Sequence, residues 1–379
     1  LILQTIIIPL PMKTLLSFVS ASVLAVSSSF AQVPGIPGLS RAPVASGPQG
    51  TTLGANTTSG AGGIDLANRV KLRGYVDFMY ANIQNDDAGG GVNDEAGFNT
   101  AADVDFLFDF SPVTAELHTN LSSDRTVRAP GGGSIGSTSA VALEQAFIRY
   151  NVNRDFSISM GRQLSTLGFE GDEAPNLYQV SNAYLFGDGT STASLGIPSL
   201  RRNYVDGIRG NFNNGRFGFS LGLHNALFPD DGSTKSGDVA VDLQAAIMIL
   251  PGLEGRLGYA HESVSNSSEI EQFNAWLAYN DRALTLAIEY DNWDIRDVDA
   301  WDIMLMGNYQ FNDFFGLTLR YSHEDFDTKA ESDRITLYTS FTVTDNLSLG
   351  LEYSHASVDQ HTGADYDVDE FYAESLLSF

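Results

Sequence analysis

Residues 347–355 read "LSLGLEYSH", and this stretch decides the fold class. Leu347, Leu349, Leu351 and Tyr353 alternate with small or polar residues, so an extended chain here has one apolar and one polar side. Strict alternation over eight or more residues indicates a β-strand, and the 3.6-residue period of an amphipathic helix does not fit it. The stretch therefore predicts a strand that separates two different environments.

Sixteen such alternating segments can be counted from residue 69 to the end of the sequence. Their predicted bounds are 69–84, 99–110, 113–122, 139–151, 155–165, 201–213, 215–227, 237–250, 252–264, 270–280, 282–293, 298–311, 314–326, 332–344, 346–358 and 366–379. Tight turns such as "NNG", "PG" and "TDN" alternate with longer polar connections, of which 166–200 is the longest. Membrane barrels sort their connections in this way, with an even strand number, whereas a β-sandwich has no reason to do so. We therefore predict an all-β fold, a transmembrane antiparallel up-and-down β-barrel of about sixteen strands around a water-filled lumen.

The first part of the chain reads as an export signal. Met12 and Lys13 precede the apolar run "TLLSFVSASVLAV", which small residues follow up to Ala31. This run is too short for a membrane-spanning helix, which needs about 20 residues. We expect a signal peptide at 1–31 with its true start at Met12, a flexible Gly/Pro/Ser/Thr-rich linker at 32–68, and the barrel at 69–379.

Composition narrows the classes of partner and cofactor. The chain has 47 Asp and Glu against 21 Lys and Arg, a net charge of -26, and no Cys. Such acidity argues against a nucleic-acid partner. An exported chain without Cys has no disulfides, so hydrogen bonding between strands must hold the fold. The acidic stretch 85–95 lacks the ligand spacing of an EF-hand, and the His residues are dispersed, so we predict no metal and no cofactor.

The alternation also assigns charged residues to the inner face. They would be costly in a dry core unless paired, but they cost little where they line water. The pore-lining candidates are the carboxylates Asp105, Asp109, Glu116, Asp242, Glu289 and Glu352, and the arginines Arg209, Arg216, Arg256, Arg320 and Arg334. Because carboxylates outnumber arginines, we predict a weak preference for cations.

Aromatic residues on the outer face form a predicted girdle. The pattern Leu-x-Tyr-x-His occurs in three strands and contains Tyr259, Tyr321 and Tyr353. Tyrosine suits a membrane boundary because its ring is apolar and its hydroxyl is hydrated. The following histidines are read as polar residues that leave the apolar band, with contact to lipopolysaccharide phosphates as the alternative. We expect the last strand to pair with the first, which would place Phe379 in the girdle at the other end of the barrel.

Two resemblances to known families extend this prediction. The sixteen-strand plan, the long third loop and the terminal Phe resemble the trimeric general porins, and the stretch "GRQLSTLGFEGDEAPNLYQVSNAYLFG" with "DGIRGNF" is similar to the OmpL-like porin (porin-2) family. The resemblance implies a passive channel for small hydrophilic solutes or ions in the outer membrane of a Gram-negative bacterium, possible assembly as a homotrimer, and recognition of Phe379 by the barrel-assembly machinery.

The resemblance to general porins also implies that the third loop folds inward and narrows the pore. Glu170, Asp172 and Glu173 would then supply acidic charges opposite the wall arginines. The short Pro-Glu-Phe-Gly-type motif of enterobacterial porins is missing from this loop, which leaves the detailed arrangement open.

Two other classes of function fit the sequence less well. A barrel hydrolase would need a nucleophile beside a base, for which His118 with Ser122 or His224 with Asn225 are the nearest candidates, but no nucleophile motif stands out. A structural or adhesive barrel would have long loops, whereas most loops here are short. We therefore predict a channel that is not an enzyme.

Overall fold

The computed structural model describes residues 64–87, 92–122, 127–128, 134–135, 141–171, 173–186, 200, 204–228, 239–264, 268–295 and 298–379. The predicted signal peptide and most of the predicted linker lie outside these ranges, so those boundaries stay predictions. Within the described ranges, no helix is both long and apolar enough to cross a membrane.

The described residues form strands joined by turns, with one short 3₁₀ turn at Ala174–Asn176. The strands are β1 (Ile64–Ala67), β2 (Val70–Asp87), β3 (Val92–Phe110), β4 (Val113–Ser122), β5 (Val127–Arg128), β6 (Ser134–Ile135), β7 (Val141–Asn151), β8 (Phe156–Leu164), β9 (Tyr204–Asn213), β10 (Phe217–His224), β11 (Ala240–Leu250), β12 (Leu253–Val264), β13 (Ser268–Asp281), β14 (Leu284–Ile295), β15 (Val298–Gln310), β16 (Phe315–Phe326), β17 (Ala330–Thr342), β18 (Leu347–Gln360) and β19 (Tyr366–Ser378). Sixteen of these strands, all except β1, β5 and β6, form one closed antiparallel ring, as predicted.

The ring closes between β19 and β2. These strands pair from Tyr366 opposite Asp87 to Ser378 opposite Tyr75. Beyond them, the amide of Gly74 donates to the carbonyl of Phe379 at 3.0 Å, and the amide of Phe379 donates to the carbonyl of Gly74 at 2.9 Å. A Cβ on Gly74 would lie 2.9 Å from the ring of Phe379, so a glycine permits this close approach. Each of the sixteen described strands of the ring has a partner on both sides, so the ring exposes no strand edge, which an apolar solvent would penalise.

All sixteen predicted segments are present; apart from the start of β3, their bounds differ from the predicted ones by three residues or fewer, and one short strand was not predicted. The β3 strand begins at Val92, not at residue 99, because residues 92–98 continue the pairing with β2. The last residues of the predicted linker form β1, which pairs with residues 70–72 of β2. Four residues are too few for alternation to be recognised in the sequence. In the structure, β1 supplies backbone partners for residues 70–72 of β2, which lie beyond the end of the pairing between β2 and β19.

The two faces of the ring have opposite chemistry. On β14, Leu286 and Ile288 are 46% and 41% exposed, whereas Glu289 and Asp291 are 2% and 3% exposed. Other strands repeat this arrangement, with large apolar side chains outside and charged or polar side chains inside. A water-soluble protein has the reverse distribution, so this outer face suits an apolar solvent.

Candidate functional site: the lumen and its inward-folded loop

The connection after β8 folds into the barrel. We call residues 165–171 and 173–186 the inner loop. Its aromatic side chains pack on the inner face of the ring: Phe169 meets Trp276 edge-on with ring centroids 5.4 Å apart, and Phe186 meets Phe326 in the same way at 5.8 Å. Apolar residues in an otherwise polar connection therefore attach the loop to the inner side of the barrel.

Carboxylates on one side of the ring accept hydrogen bonds from the main chain of the inner loop. We call this side, strands β13 to β18, the near wall. The shortest bonds run from Phe169 N to Glu289, from Val180 N to Glu352 and from Leu185 N to Glu324, each at 2.6 Å. Such charge-assisted bonds are about twice as strong as neutral ones. The three glutamates therefore fix the path of the loop main chain.

Arginines of the near wall bind the carbonyl groups of the same loop. Arg320 donates to Ser181 O at 2.9 Å and to Asn182 O at 2.5 Å, and it forms an ion pair with Glu170 at 2.5 Å. Arg334 donates to Asn182 O at 3.1 Å. The near wall thus supplies acceptors for the loop amides and donors for the loop carbonyls, and together these satisfy polar groups that burial would otherwise leave unpaired.

The structure differs from the sequence-based expectation in what surrounds these arginines. Alternation places Arg256, Arg320 and Arg334 on the inner face, but each is at most 2% exposed and none lines open water. Arg320 and Arg334 are covered by the inner loop. Arg256 pairs with Glu254 at 2.7 Å and lies 4.7 Å from the centre of the Trp276 ring. The periodicity of a strand defines which face a residue occupies, but it does not reveal what packs on that face.

The remaining arginine candidates occupy two different settings. Arg209 lies 3.4 Å from Asp242, and His224 contacts the same carboxylate at 3.1 Å. Arg216 is exposed beside the turn before β10, with its guanidinium 5.6 Å from the centre of the Phe217 ring. It therefore lies at the end of the barrel that carries the tight turns, away from the inner loop.

The side of the ring opposite the near wall carries further candidate acids. We call strands β3, β4 and β7 the far wall. Asp105 and Glu116 are buried and contact the two ring nitrogens of His118 at 3.3 and 3.0 Å. Asp109 is exposed near the barrel end, where it accepts a hydrogen bond from Ser111 N, so it caps a turn and does not line a constriction.

The three acidic candidates of the loop have different outcomes. Glu170 is bound to Arg320, and its second oxygen accepts a bond from Ala183 N at 2.7 Å. Glu173 is 3% exposed and lies beside Asp103 and Glu144 of the far wall. Asp172 lies outside the described residues. The structure therefore places Glu170 at the near wall and Glu173 at the far wall, so these two acids do not form a single row that faces the arginines.

Several important inner residues were not among the sequence candidates. Glu324 holds the inner loop, and Glu262 accepts bonds from Leu227 N and Phe228 N of a second inward-folded segment at 2.6 and 2.7 Å. Both lie at strand ends. Continuing the alternation from Arg320 to Glu324 would have found the first of them. The far-wall residues Asp103 and Glu144 follow from the same rule.

The predicted girdle tyrosines lie on the outer face, and each belongs to a repeated cluster. In each of the three strands, the tyrosine hydroxyl donates to a carboxylate on the next strand, which also contacts the nearby histidine. The clusters are Tyr259 and His261 with Glu271, Tyr321 and His323 with Asp333, and Tyr353 and His355 with Asp369. These contacts give the histidines partners within the protein itself.

Comparison with known proteins agrees with the barrel. No protein-family model and no curated protein sequence matches the chain, so membership of the OmpL-like family stays a prediction. Among solved structures, the outer membrane channel DcaP of Acinetobacter baumannii is similar with a TM-score of 0.60 and 14% identity, over 86% of this chain and 100% of that one. Salmonella typhi OmpF in complex with daunomycin gives 0.59 and 13%, over 83% and 100% of the two chains.

A third similar structure is the anion-selective porin from Comamonas acidovorans, with a TM-score of 0.55 and 14% identity, over 82% of this chain and 99% of that one. At such low identities the likeness concerns the fold. The chain therefore has the closed sixteen-stranded barrel fold found in these outer-membrane porins.

Proposed function

We propose that the protein is an outer-membrane channel through which small hydrophilic solutes or ions diffuse passively, without catalysis. One observation carries the proposal: a closed sixteen-stranded ring is apolar outside and ionic inside, and a loop is hydrogen-bonded to its inner wall. Small barrels fill their interior with wall side chains, whereas sixteen strands enclose a space wide enough for an aqueous channel.

The inner loop is the proposed constriction. It lies against the near wall through its main chain and through the ion pair of Glu170 with Arg320, and Glu173 reaches the far wall, so the inner loop contacts both walls of the lumen. A segment fixed in this way narrows the path without a gate that must open for each solute. Pore width at the loop would then set the size limit for solutes.

Lumen charge supports a weak preference for cations. Among the described residues, fifteen Asp and Glu side chains are buried against five Arg side chains. Because Arg320, Arg334 and Arg256 are already paired with wall or loop acceptors, little positive charge is left to attract anions. Rings of acidic side chains favour cations in channels.

Location and partners complete the proposal. The apolar outer band and the signal-like N-terminal sequence support insertion in the outer membrane of a Gram-negative bacterium. Lipid would cover the band, and lipopolysaccharide would meet the rim where the girdle tyrosines lie. Recognition of Phe379 by the assembly machinery and a homotrimeric state rest on the resemblance to porins.

Osmotic swelling of liposomes that contain the purified, folded protein tests the proposal. We expect rapid swelling in small sugars and slow swelling in large oligosaccharides, because the constriction selects by size. In a salt gradient across a planar bilayer, the reversal potential should have the sign of cation preference. Swelling no faster than that of protein-free liposomes would contradict the channel function. A reversal potential with the sign of anion preference would contradict the predicted cation preference but not the channel function.

A further inference from the structure

Three pairs of neighbouring strands carry the same pattern on the outer face, close to their loop ends. In each pair, the first strand carries a tyrosine and a histidine two residues apart, and the second strand carries two acids two residues apart. The histidine lies directly opposite one acid, and the second acid lies opposite the residue two positions after the histidine. We call these groups the first, second and third outer clusters: Tyr259, His261, Glu269 and Glu271; Tyr321, His323, Glu331 and Asp333; and Tyr353, His355, Asp367 and Asp369.

The first outer cluster differs from the other two in the position of its second acid. One nitrogen of His261 and one oxygen from each of Glu269 and Glu271 lie within 4.8 Å of one another, and neither of the other clusters gathers its histidine and both acids in this way. In the second cluster, Glu331 lies 3.9 Å from His361 instead. In the third cluster both acids are Asp, whose side chains are one methylene shorter than Glu. Only the first cluster therefore places an imidazole and two carboxylates around one point.

Some oxygen atoms of the first cluster have no partner in the part of the chain that the structure describes. The hydroxyl of Tyr259 donates to Oε1 of Glu271 at 2.8 Å, and Nδ1 of His261 lies 3.3 Å from that same oxygen. Among the described residues, none donates to Oε2 of Glu271, and Glu269 is exposed with neither a hydrogen bond nor an ion pair. These oxygens are therefore available to a ligand.

The spacing between imidazole and carboxylate also separates the three clusters. The distance from Nδ1 to the carboxylate is 2.9 Å in the third cluster, 3.1 Å in the second and 3.3 Å in the first. A hydrogen bond from N–H to oxygen is usually about 2.9–3.0 Å long. Two ligand atoms that each lie about 2.1 Å from one tetrahedral zinc ion are about 3.4 Å apart. The first cluster therefore has the weakest hydrogen bond of the three and the spacing closest to that of two zinc ligands.

We propose that His261, Glu269 and Glu271 bind a divalent transition-metal ion of the zinc class, with water as a fourth ligand. Imidazole nitrogen and carboxylate oxygen are both ligands that zinc takes in proteins, whereas calcium takes oxygen ligands. The hydrogen bond from Tyr259 would orient Glu271, and Ser263, whose hydroxyl lies 3.4 Å from Nε2 of His261, would help to orient the imidazole. Such partners of metal ligands fix the ligand geometry.

The sequence predicted no metal because its histidines are dispersed along the chain. Strand pairing changes that expectation, since it brings acids from the next strand beside each histidine. In the first cluster, Glu269 and Glu271 belong to β13 and His261 to β12. The ion would therefore join these two strands close to the loop between them. Its binding does not depend on the proposed channel function.

Calorimetric titration of the chelator-treated, folded, full-length protein, free of any histidine tag, with zinc chloride tests the site. We expect the wild type to bind one zinc ion per chain, and His261→Ala and Glu269→Gln to lower the affinity at least about tenfold, because loss of a residue that only orients a ligand already costs about 10–100-fold. His323→Ala and His355→Ala, at the same positions of the other clusters, are matched controls and should leave the affinity unchanged. No zinc binding by the wild type, or equal losses in His261→Ala and the controls, would overturn the proposal.

Titration of the same proteins with calcium chloride distinguishes this site from an acidic surface that attracts any divalent cation. Calcium should bind the wild type at least about tenfold more weakly than zinc, because one of the three ligands is an imidazole nitrogen. Equal affinities for calcium and zinc would overturn the assignment to a transition metal.

Thermal unfolding gives a second readout. Zinc should raise the melting temperature of the wild type, His323→Ala and His355→Ala, since a ligand that binds the folded state stabilises it. It should have a much smaller effect on His261→Ala. Without zinc, His261→Ala should melt close to the wild-type temperature because the residue lies on the outer surface, so that loss of the site is not confused with poor folding. An equal zinc shift in His261→Ala and the wild type would overturn the proposal.

Discussion

The two walls of the lumen use the same side chain in opposite ways. On the near wall, Glu289 and Glu352 are buried and receive amide hydrogens of the inner loop at 2.6 Å. On the far wall, Asp103 is equally buried but faces two other carboxylates. The comparison shows that burial on the inner face does not by itself decide what a carboxylate does for stability. Its effect depends on whether the loop brings a donor or another acid to it.

This difference predicts opposite signs for mutations on the two walls. Removing a near-wall charge should loosen the loop and destabilise the protein, because the loop groups lose their partners. Removing the Asp103 carboxylate on the far wall should instead relieve repulsion from the neighbouring acids.

Arg320→Ala should have the largest effect. The change removes bonds to Ser181 O and Asn182 O and leaves Glu170 without its cation. Breaking a buried ion pair by removing one partner costs about 3–5 kcal/mol. We expect lower stability in denaturant unfolding and a larger single-channel conductance, because the loop is released. Arg216→Ala, at the exposed turn, is the control and should change neither property. Equal effects of the two variants would contradict the role of Arg320 in holding the inner loop against the near wall.

Glu352→Gln should have a moderate effect in the same direction. The amide keeps one acceptor oxygen for Val180 N but loses the charge that strengthens the bond. The difference between a charged and a neutral hydrogen bond is about 1 kcal/mol. Denaturant unfolding should show a loss of that order, and Asp345→Asn, at an exposed turn, should show none. A stability equal to that of the wild type would mean that the near-wall carboxylate does not hold the loop.

Asp103→Asn should act weakly and with the opposite sign. Relief of repulsion among three acids should stabilise the protein by about 1 kcal/mol or less, since part of the repulsion is screened. Denaturant unfolding measures this change, and a clear destabilisation would contradict the contrast between the walls.

The smallest effect concerns Tyr184 in the inner loop. Burial, with the nearby charges of Asp302 and Glu289, raises the pKa of its phenol well above the usual value of 10.0. Below that value the tyrosine is neutral in both the folded and unfolded protein; above it only the unfolded form ionises, so stability falls as the pH rises. Tyr184→Phe should reduce this alkaline loss, whereas Tyr150→Phe, on the exposed face, should not. An unchanged alkaline profile in Tyr184→Phe would contradict the burial of the phenol.

The barrel could be predicted from the sequence because alternation is a local property. Each of the sixteen strands carries its own pattern, and the ring adds only the order of pairing. Alternation also placed Arg320 and Glu352 on the inner face. What it could not predict is the exposure of these residues, because no periodicity in a strand records which loop will cover it.

The partners within the lumen could not be predicted for a related reason. Glu352 binds Val180 through a main-chain amide, and every residue except proline has such an amide, so no side chain in the loop marks the contact. Asp103, Glu144 and Glu173 are far apart in the sequence and meet only when the ring closes and the loop folds inward. Sequence periodicity predicts faces, whereas contacts between elements require the closed structure.

Single-channel recording of the folded, full-length protein in a planar bilayer tests whether the protein is a channel that the inner loop narrows. The wild type should insert with stepwise, long-lived conductance in symmetric salt, and Arg320→Ala should give larger steps because its inner loop is no longer clamped to the near wall. Absence of conductance steps from correctly folded wild-type protein would contradict the channel. Steps of the same size in both proteins would contradict the role of the loop as its constriction.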